Sequence, residues 1–290
     1  MKRFAVGVPA LLASICGLVM AVLISTDGFA PYPLASRFNH DIGTPVLALE
    51  LAHQADDIGR VLPLPGDITP DECQDFCVNF PKTSGQRNCA SGCGQDLSAA
   101  CRRAVFINTL LDFVFIPLYV WFLLTFVVSV IPRGKLRVIA ILFALSAGIC
   151  DVIEDIFILL AVNSRPVPIF IPSLAKWAMI GLTVAVIGRC LIRDHDIIYS
   201  IATDRLLGLA YLASGLLLLF GVAAGEWFGY SWIQHGAAIF AAAFLISGIY
   251  VVAYCVRRWL PGQLVRYIDN FCEKRESGEP VDVAVRAEPQ

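Results

Sequence analysis

Residues 136–162 read LRVIAILFALSAGICDVIEDIFILLAV. About 20 mostly apolar residues suffice to cross a ~30 Å hydrocarbon layer as a helix, because each residue rises ~1.5 Å. The stretch is therefore long enough to span a bilayer, yet it carries Asp151, Glu154 and Asp155. Those two facts decide how the rest of the chain is read: a membrane helix, with a costly polar face.

Five more stretches, 4–25, 104–131, 167–192, 207–226 and 233–256, have the same length and character. The sequence thus predicts an all-α integral membrane protein with six transmembrane helices. Its parts are a signal-anchor helix (1–26), an extracytoplasmic Cys-rich segment (27–103), a five-helix bundle (104–258), and a cytoplasmic amphipathic helix with a polar tail (259–290). The composition agrees: the chain has 290 residues, 57% hydrophobic and only 16% charged, where a soluble domain carries about 45–50% apolar positions. A formal net charge of −2 with scattered Lys and Arg excludes a nucleic-acid-binding surface, so the expected partners are the lipid bilayer and further copies of the chain.

Met1-Lys2-Arg3 followed by an apolar run also resembles the start of a secretory signal. The run is longer than an ordinary signal core and ends in Thr26-Asp27-Gly28, a poor cleavage site, which favours a retained anchor. Basic residues in short loops set the orientation. Lys2 and Arg3, then Arg133, Lys135 and Arg137, then Arg189, Arg193 and Arg205, and finally Arg257 and Arg258 fall on one side. Both termini are accordingly expected in the cytoplasm of a cell whose plasma or inner membrane holds the protein. Arg102 and Arg103 run against this rule.

Within 27–103, residues 46–60 form at most a short amphipathic helix. Thr69-Pro70-Asp71-Glu72 is a helix start, with an N-cap Thr, Pro in the first turn and acids behind it. It leads into Cys73-x3-Cys77, and Cys89-x3-Cys93 follows. Cysteines at i and i+4 share a helix face, so an antiparallel hairpin is expected to pair Cys73 with Cys93 and Cys77 with Cys89. An oxidising compartment favours disulfides over a four-thiolate metal site and leaves Cys101 over.

Ionisable groups inside spanning helices cost roughly 2.5–3.5 kcal/mol each near the centre and usually face the bundle interior. Here they are Asp112, Asp151, Glu154, Asp155 and Lys176, all at one depth below the outer surface when residues are counted from the helix ends. Positions 151, 154 and 155 share one helix face, and Asn108, Asp112 and Tyr119 share another. Fully ionised, this set is strongly negative, which calls for protonation, an offsetting cation or hydration. Asp151, Glu154 and Asp155 with His235 at the outer end of the last span make a candidate site for a divalent cation; Gln234 and Glu226 stand beside it.

Three readings follow for this acidic cluster, which the sequence opens to the extracytoplasmic side. The first is a structural or assembly role, with Lys176 pairing Asp112 and Asp151 or Asp155. The second is a membrane-embedded enzyme or binding site acting on a lipid or isoprenoid group. The third is a cation or proton transporter or a channel subunit, which a scarcity of polar residues in the inner halves makes harder to build. No hydrolase, kinase or nucleotide-binding motif is present.

Overall fold

The computed structural model describes residues 8, 11, 12, 15, 49–50, 55–79, 93–163, 167–193, 201–228 and 230–259. Among them there is no strand. The helices are α1 (Ala55–Val61), α2 (Pro70–Asn79), α3 (Cys93–Val130), α4 (Lys135–Val162), α5 (Phe170–Arg193), α6 (Ile201–Phe228) and α7 (Ser231–Trp259), with a 3-10 turn at Pro65–Asp67. Five of these, α3 to α7, are long and apolar enough to cross a membrane. The sixth expected span, 4–25, and the amphipathic helix expected beyond residue 259 lie almost wholly outside the described residues.

Helix α3 is 38 residues long and begins at Cys93, well before the apolar stretch that starts at 104. Hydropathy marks where lipid begins and not where a helix begins; Asp96 in the first turn and Ala99-Ala100 behind it suit a helix in water as well. The extra turns are pinned to the preceding segment, because the buried Ser98 Oγ donates to the Pro63 carbonyl at 2.7 Å. Pro117 lies on the exposed side of α3, and the helix runs on through it.

Large side chains face outward along the helices, Ile149 at 61% exposure among them, an arrangement stable in lipid and not in water. The five helices pack in chain order, each on the next, and α3 also touches α5. The α5–α6 contact is the closest, because glycines face each other along it: a Cβ on Gly188 would lie 2.4 Å from the Leu212 backbone nitrogen, and one on Gly215 would lie 2.6 Å from the Ala185 nitrogen. Such small-residue seams let backbones pack in lipid, where no hydrophobic effect pushes helices together. Between α3 and α4 the chain turns at Gly134, whose φ of 155° suits a residue without a Cβ.

Helices α3 and α7, first and last of the five, meet mainly through aromatic side chains. The Phe122 and Phe244 rings stand edge to face at 4.3 Å, and Phe126 of α3 meets Tyr211 of α6 in the same way at 5.2 Å. These rings and Phe240 form a layer across the middle of the bundle.

One end of the bundle is capped by the segment that precedes α3. Leu49, Val61 and Leu62 are buried against Val105 of α3, Ile158 of α4 and Ile169 just before α5. After this cap, α2 starts with a reciprocal capping box: the Thr69 backbone N–H donates to Glu72 Oε2 at 2.8 Å, and the Glu72 N–H donates to Thr69 Oγ1 at 3.4 Å. Cys73 joins Cys93, Leu97 and Cys101 in one apolar cluster, and the Cys93 thiol points at the Cys73 carbonyl at 3.7 Å. The Cys77 side chain and Cys89 lie outside the described part, so the second expected pair does too.

Candidate functional site

Lys176 sits one turn and a half into α5, 4% exposed, with its ammonium enclosed by three carboxylates, two from α4 and one from the cap. Nζ donates to Glu154 Oε1 at 2.8 Å. It also lies 2.9 Å from Asp151 Oδ1 and 3.3 Å from Glu50 Oε2. The Asp151 contact is an ion pair without hydrogen-bond alignment, since Oδ1 accepts no hydrogen bond. Glu154 and Asp151 come from α4, three residues apart and so on one face. The same ammonium lies 4.9 Å from the Trp177 ring centre.

Each partner is held in turn. Tyr119 of α3 donates its hydroxyl to Asp151 Oδ2 at 2.7 Å, which joins α3 to the α4–α5 pair. Glu50 accepts from Trp177 Nε1 at 3.0 Å and from Ser173 Oγ at 3.5 Å. It is 6% exposed and belongs to the cap, not to any spanning helix. Sequence reasoning missed it. The available signal was a single carboxylate inside the apolar run Val46-Leu47-Ala48-Leu49-Glu50-Leu51-Ala52.

The two remaining acids take no part in this pairing. Asp155 is buried one turn beyond Asp151, its Oδ2 without a hydrogen-bond partner, and the charges acting on it come from Asp112, Asp151, Lys176 and Glu50. Asp112 is half-buried and forms no hydrogen bond or ion pair among the described residues. The expected pairing of Lys176 with Asp112 or Asp155 is therefore replaced by pairing with Glu154 and Glu50 beside Asp151. The reason is reach: Glu154 lies on the α4 face toward α5, and the cap brings Glu50 to the ammonium from a third side. Asn108, on the Asp112 side of α3, is buried with its Oδ1 unpartnered.

His235 is not brought to the acids. It is exposed near the start of α7, where Nδ1 lies 2.8 Å from the Ser231 carbonyl, and the α7 residues nearest the cluster are apolar. Gln234 is half-buried beside it, and the Glu226 side chain lies outside the described part. Among the described residues, no three His, Cys, Asp or Glu side chains are grouped so as to hold a metal ion.

A cavity of about 490 Å³ lies against this cluster, between α3, α5 and α7. Its polar end is Glu50, Asp112, Asp151, Lys176 and Tyr119. Its remaining walls are apolar: Phe115 from α3, Trp177 and Ile180 from α5, and one flank of α7. Phe240 and Phe244 belong both to its wall and to the aromatic layer. On α7, Ala237, Ala241 and Leu245 recur at i, i+4 and i+8; Ala241 and Leu245 are exposed on the bundle surface as well as lining the cavity. The cavity thus opens sideways, between α3 and α7, where small alanine side chains leave a gap. Its volume falls within the ~300–1,000 Å³ of small-molecule sites.

Comparison with protein-family models, with curated proteins and with solved structures gave no match.

Proposed function

We propose that this chain is a multi-pass membrane protein that binds the lipid or isoprenoid part of an amphiphile in a pocket entered sideways from the bilayer. The observation that carries this reading is the cavity itself, charged at one end, apolar along the rest and open through Ala241 and Leu245. An amphiphile has that polarity, and a lateral opening at membrane depth admits one without bringing its tail into water.

Lys176 then has a structural part in the same device. Its ion pairs hold α4, α5 and the cap together, and Tyr119 adds α3, so the polar end of the pocket is pre-shaped. The structural reading accounts for Glu50, Asp151 and Glu154. It gives no reason for Asp112, which faces the cavity.

The inner-half polar residues support a one-sided pocket over a path across the membrane. Thr125 and Thr183 bond to carbonyls of their own helices, Ser214 to the Gly236 carbonyl, and Tyr211 to Ser247. Phe240 and Phe244 of the aromatic layer also line the cavity. On the orientation that the loop charges favour, with cytoplasmic termini, the pocket lies in the outer half of the bundle; Cys73 and Cys93 are not joined by a disulfide in this structure, and an oxidising compartment on that side would favour their pairing.

The test is to narrow the opening. Ala241→Trp puts a large side chain at the mouth without touching the charged cluster. The amphiphile retained by purified protein, quantified by mass spectrometry, should fall about tenfold, a loss of ~1.4 kcal/mol of binding. The melting temperature should stay near the wild-type value. Equal retention by both proteins would oppose the proposal.

A further inference from the structure

The polar end of the cavity has a definite charge preference, and this inference rests on the pocket reading above. Among the described residues Lys176 is the only basic one in its lining, and its ammonium already faces Glu50, Asp151 and Glu154 within 3.3 Å. Among the described residues nothing basic is left for a phosphate, sulfate or carboxylate head, which would face the carboxyls of Glu50 and Asp112.

A positive head group meets the opposite conditions. Asp112 lines the cavity without a hydrogen-bond or ion-pair partner among the described residues, and behind it the buried Asp155 leaves its Oδ2 without a hydrogen-bond partner. Three carboxyls pair with the one ammonium, and among the described residues Asp112 and Asp155 have no counter-charge, so a cation seated against Asp112 supplies the one that is missing there. The wall beside Asp112 is aromatic, with Phe115, Tyr119, Trp177 and Phe240 around the space. Ring faces attract cations, most strongly once water is excluded, and alkylated ammonium groups combine that attraction with apolar contact.

We propose that the head group taken by this pocket is an alkylated ammonium, seated against Asp112 and the aromatic wall, with its hydrocarbon part running to the opening between α3 and α7. Lys176 fixes the acids on the far side, so Asp112 is left to meet the ligand.

The test compares two ligands that differ only in charge. Full-length protein in a neutral maltoside detergent is titrated by calorimetry with dodecyltrimethylammonium and with its neutral isostere, in which carbon replaces nitrogen. Dodecyl sulfate is the third arm. The ammonium should bind at least about tenfold more tightly than the isostere, a factor corresponding to ~1.4 kcal/mol. Dodecyl sulfate should show no saturable binding. Asp112→Asn should remove most of the advantage of the ammonium while leaving the isostere unchanged. If that variant fails to fold, the wild-type comparison decides alone. Equal affinity for ammonium and isostere, or tighter binding of the sulfate, would overturn the head-group assignment and leave the pocket standing. No saturable binding of any arm, together with no effect of Ala241→Trp on retained amphiphile, would overturn the pocket as well.

Discussion

Lys176→Met will destabilise the bundle by about 3–5 kcal/mol, more than any other single substitution in the charged cluster. Among the described residues the ammonium is the one cation beside Glu50, Asp151 and Glu154, and all four side chains are nearly dry. Methionine matches the volume but leaves three carboxyls facing one another with no counter-charge. Glu154→Gln should cost far less, because the amide oxygen still accepts from Nζ and the ammonium keeps Asp151 and Glu50. The double variant Lys176→Met with Glu154→Gln should recover part of the loss, since one of the orphaned acids is gone. Unfolding followed in detergent at constant pH measures all three. A Lys176→Met protein as stable as wild type would show that the cluster is too hydrated for the pairing to matter.

Gly188→Leu should have the next largest effect, and for a reason unrelated to charge. Any Cβ at 188 would lie 2.4 Å from the Leu212 nitrogen and 2.6 Å from the Gly208 carbonyl, both backbone atoms of α6. Rotamer changes cannot relieve a clash with backbone, so the helices must separate along the whole seam. Overpacking ordinarily costs about 1–3 kcal/mol, and here it also opens the contacts at Gly181 and Gly215. The expected outcome is a lowered melting temperature, with greater protease sensitivity of the α5–α6 connection. Gly59→Leu is the control, since open space surrounds that position. Equal stability of the two variants would contradict the packing described.

The membrane helices were legible because length and hydropathy are local properties. So was the acidic face of α4, because the i, i+3, i+4 spacing of 151, 154 and 155 is fixed by helix geometry alone. The start of α3 was less so: residues 93–103 are polar enough to look like a loop but have nothing that breaks a helix. Glu50 lies in a stretch whose sequence shows only a short amphipathic pattern, and no periodicity signals that it packs back onto Ser173, Lys176 and Trp177. Depth alone groups His235 with the acids, and depth does not give rotation about the axis; α7 turns Ala237 and Phe240 toward the cluster instead. The cavity was not visible at all. It exists because the first and last of the five helices come side by side yet meet mainly through rings, a tertiary fact with no local trace.

Trp177 gives the most direct test of the central claim, since its ring lines the cavity while its Nε1 binds Glu50. A single-tryptophan protein is made by replacing Trp121, Trp227, Trp232 and Trp259 with Phe, and its emission is followed as an alkylammonium brominated along the chain is added. Bromine quenches only in near contact, so a chain seated between α3 and α7 should quench Trp177 saturably, and Ala241→Trp, read by ligand retention, should block the same seat. The companion protein keeping only Trp121, on the exposed side of α3, reports ordinary contact with surrounding amphiphile and should be quenched without saturation. Saturable quenching of Trp177 is the result predicted; quenching of Trp121 with Trp177 untouched would contradict it.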